Sequence, residues 1–261
     1  MFRCRETHKK VLSLSTQITT RFHMNYVILA GGLGSRFQKE GHMVPKPLVQ
    51  LLGQPMIGRL IKTLCKFGAE RIQVAANARM PQLLEYLDSL IAEGYPVVVN
   101  PVITDNSYVS LREGAKGIDG KFIAMTVDAI FTNEEFGRYV DAVAKTDDNT
   151  ILMGLTRFVD DESPLYARIN ADGEIIDYRY GGEPFAEGTI VSAGLYGLSG
   201  KAMQKIIDED KSPKSLSDFQ RILAAETNMT VLPFEFEKAF DVDNLHDRAA
   251  AEEFLRDANG E

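Results

Sequence analysis

The sequence predicts an α/β fold, an open, Rossmann-like, mostly parallel sheet flanked by helices on both faces. From Met24 onward, short β-branched runs alternate with apolar stripes at helical spacing, the rhythm of parallel strands joined by helical crossovers. The glycines Gly31, Gly32 and Gly34 follow the first such run, where a strand ends and the backbone must turn without side chains in the way. At 261 residues the chain is long enough to bury a substantial core. We read residues 24–261 as a single domain with a first half over 24–149, a second part over 150–230, and a return to the sheet over 231–261.

The strands of the first half fall at residues 26–30, 71–75, 97–100 and 122–127. Between them, Ile57, Leu60, Ile61 and Leu64 recur at helical spacing and stop at Gly68. Leu83, Leu84, Leu87 and Ile91 form a second stripe after Pro81, a favoured first-turn residue. Both stripes are core. A third helix starts near Ser107, capped by Asn106 or Ser107, and a fourth covers 134–144. Beyond Thr150 the pattern predicts a strand at 151–156, a hairpin over 167–180 turning at Asp172-Gly173, and a strand at 190–198. Helices follow near 201–208 and 218–226, then extended runs at 231–233 and 239–242 and a last helix at 246–256. No internal repeat or low-complexity tract occurs.

Hydrophobic residues at 44% and charged residues at 25% are ordinary globular values, and no apolar run approaches the roughly 20 residues of a membrane helix. A net charge of -8 argues against general nucleic-acid binding, whereas a small anionic substrate needs only local positive charge. Two cysteines, Cys4 and Cys65, have no pairing motif or metal spacing, which fits a reducing, cytoplasmic compartment. The first 23 residues carry Arg3, Arg5, Lys9, Lys10 and Arg21 against Glu6 alone and lack the apolar core of a secretory signal. They read as a disordered basic leader, either an organelle transit peptide or the product of a start assigned upstream of Met24.

The chemistry concentrates in Leu29-Ala30-Gly31-Gly32-Leu33-Gly34-Ser35-Arg36 and the downstream Pro45-Lys46-Pro47. Such a glycine loop can press bare N–H groups against a phosphate. Arg36 adds a planar fork of donors, and Lys46 adds a compact charge on a segment stiffened by two prolines. Together they describe a triphosphate site. It is not a P-loop, because no Gly-Lys-Ser/Thr tripeptide occurs, and not the dinucleotide fingerprint, because Phe37 stands where the third glycine belongs.

The Gly-Gly-x-Gly-x-Arg loop with a downstream Pro-Lys-Pro resembles the signature of the nucleotidyltransferase superfamily. That superfamily includes sugar-1-phosphate nucleotidyltransferases, the molybdenum-cofactor guanylyltransferase and bacterial-type choline-phosphate cytidylyltransferases. The resemblance implies a nucleotide-diphospho-sugar transferase-like fold and transfer of a nucleoside monophosphate from an NTP to a small phosphorylated acceptor, with pyrophosphate leaving. In-line attack by an acceptor oxygen that is already anionic needs charge stabilisation rather than a general base, so the four histidines need no catalytic role. It does need Mg²⁺, which favours carboxylates.

Asp128 follows an apolar strand and so stands at the carboxyl edge of the sheet, where open α/β folds bind ligands. In the resembled families an aspartate in this setting holds the metal; the plainer reading is that Asp128 caps the next turn. Phe240-Asp241-Val242-Asp243-Asn244 offers two further metal candidates, Asp241 and Asp243, one of which could instead cap the last helix. The resemblance assigns Arg36 and Lys46 to catalysis, and Leu29, Ala30, Gly31, Gly32, Gly34 and Ser35 to the nucleotide. It places base selection at Asn77, Ala78 and residues 100–107, including Asn106. Asn106-Ser107-Tyr108 with Ser110-Leu111 resembles the corresponding stretch of choline-phosphate cytidylyltransferases, although a helix cap explains Asn106 equally well.

One departure bears on the acceptor. Sugar-1-phosphate nucleotidyltransferases usually show Glu-Lys-Pro before a late strand, its lysine gripping the acceptor phosphate. Here the comparable stretch is Gly181-Gly182-Glu183-Pro184, leaving Arg168 or Arg179 to hold the phosphate. The leading expectation is a sugar-1-phosphate acceptor. Glu183 suits a zwitterion such as choline phosphate or an aminoalkylphosphonate better, which makes a cytidylyltransferase for a small phospho-amine the alternative. A nucleotide-binding regulatory module is the non-enzymatic rival, and retention of Arg36, Lys46 and Asp128 together argues against it. By base rate, a homo-oligomer with an even number of subunits is expected.

Overall fold

The computed structural model describes residues 23–32, 37, 41, 44–104, 106–159, 163–186, 188–209, 211–226 and 228–259. The leader, apart from His23, lies outside them. The first half lays down β1 (Met24–Ala30), β4 (Ala69–Asn77), β5 (Val97–Val102) and β6 (Lys121–Thr126) as a parallel block in the order β6-β1-β4-β5. Their crossovers are α1 (Met56–Lys66), α2 (Pro81–Ala92) and α3 (Ser107–Gly114).

The second half extends that sheet with β8 (Thr150–Thr156), the hairpin β9 (Leu165–Ile169) and β10 (Ile175–Tyr180), β11 (Val191–Ser199) and β12 (Thr230–Phe236). β11 is the joint: it runs antiparallel to β6 and to β8, while Val191 pairs with Tyr166 of β9. β12 lies parallel to β8. Four further helices are α4 (Asn133–Lys145), α5 (Gly200–Asp208), α6 (Leu216–Glu226) and α7 (Leu245–Asn259). Among the described residues, no helix is long and apolar enough to cross a membrane.

Side-chain alternation on the strands builds a core on each face of the sheet. Tyr26, Ile28 and Ala30 of β1 face the cluster formed with Ile57, Leu60, Leu83, Leu87, Phe136 and Tyr139, so α1, α2 and α4 cover that side. Val27 and Leu29 face the other, where Tyr108, Leu111, Ala202, Met203, Phe219 and Leu223 bring in α3, α5 and α6. The first expected stripe is core throughout; of the second, Leu83 and Leu87 are buried and Leu84 half-buried, whereas Ile91 is exposed and Leu90 takes the inward position. The expected hairpin turns where the sequence placed it. Asn170 accepts from Asp172 and Glu174 through its side chain, and Gly173 adopts φ +84°.

Two small pairings lie outside the main sheet; three of their four two-residue strands carry too little periodicity to show in the sequence, while the fourth falls within the extended run expected at 239–242 but does not join the main sheet. β2 (Gln50–Leu51) and β3 (Gln54–Pro55) form a hairpin around Leu52 and Gly53, both at positive φ. β7 (Ala129–Ile130) pairs antiparallel with β13 (Phe240–Asp241). A third, smaller core of Phe37, Val49, Leu51, Met56, Ile130, Phe240, Val242, Ala251 and Leu255 welds these pieces to α7.

The joint strand leaves no room at Gly197, where an added Cβ would lie 2.6 Å from Val143 Cγ2 and 3.0 Å from the Leu152 carbonyl oxygen. Gly197→Ala should therefore lower stability by about 1–3 kcal/mol through overpacking. A urea melt checks this, and an unchanged midpoint would mean that α4 yields freely.

Candidate active site

The prolines around Lys46 shape its surroundings first. Pro45 is extended at ψ 137°, and a 3-10 turn over Lys46–Leu48 is closed by the Leu48 N–H donating to the Pro45 carbonyl at 2.8 Å. Lys46 is buried, at 8% exposure. Its ammonium donates to Asp128 Oδ2 and, at 2.5 Å, to Asp243 Oδ1. The carboxylates arrive from opposite ends of the chain. Asp128 sits just past the end of β6, in the turn to β7, and Asp243 just past β13. The β7–β13 pairing and a bond from the Val242 N–H to the Asp128 carbonyl at 3.2 Å hold the two segments together.

Electrostatics follows from that geometry. Burial pulls the Lys46 ammonium toward its neutral form, but Asp128 and Asp243 reverse this and hold its pKa above the usual lysine value. Burial pushes the Asp128 carboxyl up, yet the charge and hydrogen bond of Lys46 outweigh it and hold it below the ordinary carboxylate range. Asp128 is not a turn cap, since Oδ2 is on Lys46. Its Oδ1 is buried with no hydrogen-bond partner among the described residues, as is Thr126 Oγ1. Nor does Asp241 or Asp243 cap α7 through its side chain. Asn244 takes that role, its Oδ1 accepting from the Asp247 N–H at 3.0 Å, while the Asp243 N–H donates to Asp247 Oδ2 at 2.9 Å.

These two carboxylates fit a hard divalent cation, because they converge on one positive group and Asp128 keeps a buried oxygen unserved. Among the described residues no group of three or more acid, His or Cys ligands gathers. That is the donor set of a site completed by substrate phosphates and water rather than an all-protein cage. Asp241 lines the neighbouring cleft; a Cβ on Gly194 would come within 3.4 Å of its Oδ1 and 2.7 Å of Thr126 Oγ1. Gly194, at φ +71°, is thus required twice over, a position no sequence pattern had singled out.

Gly31 and Gly32 follow β1 directly. A Cβ at Gly31 would meet Ser110 Oγ of α3 at 2.9 Å, while Gly32 faces open space. The side chains of Leu29 and Ala30 are buried in the two cores, so only their backbone faces the loop. Gly34, Ser35 and Arg36 lie outside the described residues. Asn77 is buried and engaged at both ends of its amide, donating to the Gly31 carbonyl at 2.8 Å and accepting from the Arg79 N–H at 2.9 Å. Asn106 caps α3, accepting from the Tyr108 and Val109 N–H groups and donating to the Pro213 carbonyl. Both amides thereby shape the backbone around the pocket.

Beside the carboxylates a cleft is lined by Phe158, Phe240, Ser192, Asp241, Asp243 and Asp247, among others, with no lysine or arginine among the described residues that line it. Next to it, the Lys238 ammonium stands 4.4 Å from the Phe158 ring centre, 5.1 Å from Phe254 and 5.4 Å from Phe240. Glu135 ties down the preceding turn by accepting from the Glu237 N–H at 2.6 Å. Arg168 and Arg179 pack against the Phe185 ring, with Arg168 paired to Asp177 and Arg179 donating to the Glu183 carbonyl. None of Arg168, Arg179 and Glu183 lines the cleft.

The family model for the MobA-like NTP transferase domain matches residues 26–172, more than half of the chain. The chain belongs to this NTP transferase family. Two curated relatives match shorter segments. A 2-aminoethylphosphonate cytidylyltransferase of Lancefieldella rimae is 40% identical over 75 residues, 29% of this chain and 28% of that protein. The mannose-1-phosphate guanylyltransferase catalytic subunit beta of Dictyostelium discoideum is 35% identical over 65 residues, 25% of this chain and 18% of that protein. The chain thus aligns with under a third of either relative's length. Among solved structures, the inositol-1-phosphate CTP transferase from T. maritima superposes with TM-score 0.73 at 18% identity, covering 91% of this chain and 96% of that one. HddC from Yersinia pseudotuberculosis, complexed with GMP-PN, gives 0.67 at 23%, covering 89% and 99%. At these identities the superpositions establish the NTP transferase fold.

The depressed pKa of Asp128 has a stability signature. A carboxyl lowered on folding contributes stability that is present above its unfolded value of about 3.9 and lost as pH falls through the lower folded value. The difference in stability between wild type and Asp128→Asn should be constant above about pH 5 and change progressively below about pH 4. Denaturant melts from pH 3 to 7 measure it, and parallel curves throughout would remove the ion pair from the account.

Proposed function

We propose that the chain transfers a nucleoside monophosphate from an NTP to a phosphorylated acceptor with release of pyrophosphate, using Mg²⁺. The observation that carries this is the convergence of Lys46, Asp128 and Asp243 beside Gly31, at the carboxyl end of the parallel block. An acceptor phosphate or phosphonate oxygen forms the new bond to the α-phosphorus as the bond to the bridging oxygen breaks, and both electrons of that bond leave with pyrophosphate. No proton has to move.

Each residue then has a defined task. The backbone N–H groups at Gly31 and Gly32 would face the triphosphate, with Asn77 holding the Gly31 carbonyl. Lys46 neutralises charge on the phosphates as pyrophosphate separates, a stabilisation that grows in a partly dry site. Asp128 and Asp243 would hold Mg²⁺, whose charge would supply screening between the α-phosphate and the incoming anion. The cleft beside Asp243 receives the body of the acceptor.

For that body the cleft lining favours the phospho-amine over the sugar-1-phosphate. Three aspartates and two phenylalanines with no basic side chain among the described lining residues suit an ammonium head. The adjoining rings already hold one, that of Lys238. The match to a 2-aminoethylphosphonate cytidylyltransferase supports the same class.

Pyrophosphate release with Mg²⁺, measured for CTP, UTP, GTP, dTTP and ATP against phospho-amines, aminoalkylphosphonates and sugar-1-phosphates, tests both levels. Turnover is expected with a phospho-amine or aminoalkylphosphonate, and Asp128→Asn should slow it by about 100-fold or more. Turnover with sugar-1-phosphates alone would overturn the acceptor reading. Unchanged turnover in Asp128→Asn would overturn the metal assignment.

A further inference from the structure

The Lys46 ammonium stands where a cation bound by Asp128 and Asp243 would stand. We propose that Lys46 is a built-in counter-cation that closes this carboxylate pair to free divalent metal, so that metal enters when a triphosphate draws the ammonium away. The inference rests on the reading of Asp128 and Asp243 as the metal carboxylates and adds an order of events to it.

Charge and burial carry the argument. The ammonium bonds to both carboxylates, so a second cation between them would sit within a few ångströms of it and be strongly repelled. The lysine backbone stays where it is, gripped by Pro45, Pro47 and the turn over Lys46–Leu48, with Val49 and Leu51 anchored in the small core. The side chain alone can move, since its charge rides on a flexible four-carbon stem. A triphosphate offers that charge a denser anion than two carboxylates do.

Once the lysine turns to phosphate, Asp128 loses the ammonium that balances its charge, an arrangement unfavourable in a partly dry site. A divalent cation restores the balance, and Asp128 Oδ1, buried and without a hydrogen bond among the described residues, is an oxygen the lysine never serves. Metal and triphosphate therefore bind with positive coupling, and by linkage each raises the affinity for the other. A lysine that only braced the fold would stay with the carboxylates and leave metal affinity indifferent to its charge.

The test is Mn²⁺ binding to the full chain, followed by electron paramagnetic resonance without nucleotide, in wild type, Lys46→Arg, Lys46→Gln and Lys46→Met. Gln retains donors for both carboxylates and Met does not, so the two differ in what they ask of the fold. Wild type and Lys46→Arg should bind Mn²⁺ weakly, and both uncharged variants tighter by about tenfold or more, as expected for a close charge pair. Adding Asp128→Asn to Lys46→Gln should abolish the gain. Equal affinity across the Lys46 series would overturn the counter-cation while leaving nucleotidyl transfer, read by pyrophosphate release, untouched. A gain that survives Asp128→Asn would place the metal elsewhere and overturn the metal reading as well.

Discussion

A single ammonium held between two carboxylates is the interaction on which the rest of the site depends. Lys46 lies 82 residues from Asp128 and 197 from Asp243 in sequence, so only the finished fold brings the three together. Charge held this far from water is costly to leave unbalanced: taking away the ammonium would strip Asp128, its side chain 15% exposed, of its counter-charge at a cost on the order of 3–5 kcal/mol. The local architecture is a means of meeting that requirement. The β7–β13 pairing sets the two carboxylate segments side by side, the small core fixes the lysine turn against them, and Asn244 caps α7 so that Asp243 can face Lys46.

The start of the glycine loop is braced from the opposite direction. Asn77 at the end of β4 holds the Gly31 carbonyl, and Ser110 of α3 packs so near Gly31 that a Cβ there would meet its hydroxyl at 2.9 Å. Asn106 caps the same helix and also reaches Pro213, while the Ser107 hydroxyl accepts from the Leu216 N–H, tying α3 to α6. In the proposed function the parallel block supplies the triphosphate end, and the strands joined through β11 supply the walls of the acceptor cleft. Gly194, where the register of β11 shifts, lets β11 pass close to Thr126 and Asp241 and links the two.

How much was legible beforehand depended on whether a residue acts locally. The four parallel strands, the first core stripe, Leu83 and Leu87 of the second, and the hairpin at Gly173 declare themselves through periodicity and turn chemistry, which operate within a few residues. Asp128 stood out because it follows an apolar strand directly. Asp241 and Asp243 could not be ranked from sequence, since adjacent acids on an extended segment look alike until something faces one of them; here Lys46 faces Asp243. Asn77 and Asn106 looked like candidates for reading a base, and the folded chain gives their side-chain amides to the backbone instead. Lys238 and its three phenylalanines went unnoticed because Phe158 and Phe254 are remote in sequence from Phe240.

By itself, then, the sequence determined the α/β class and the glycine loop with its downstream Pro-Lys-Pro, and it pointed to the kind of chemistry proposed for those residues, all from short contiguous stretches. Tertiary structure decided which carboxylate Lys46 meets, that the cleft beside it is acidic and aromatic, and that Arg168 and Arg179 turn to Phe185 rather than into it. The physical reason is the range of the forces involved. Backbone preference and hydrophobic periodicity act between near neighbours in the chain, whereas charge pairing in a buried site selects partners by distance in space alone.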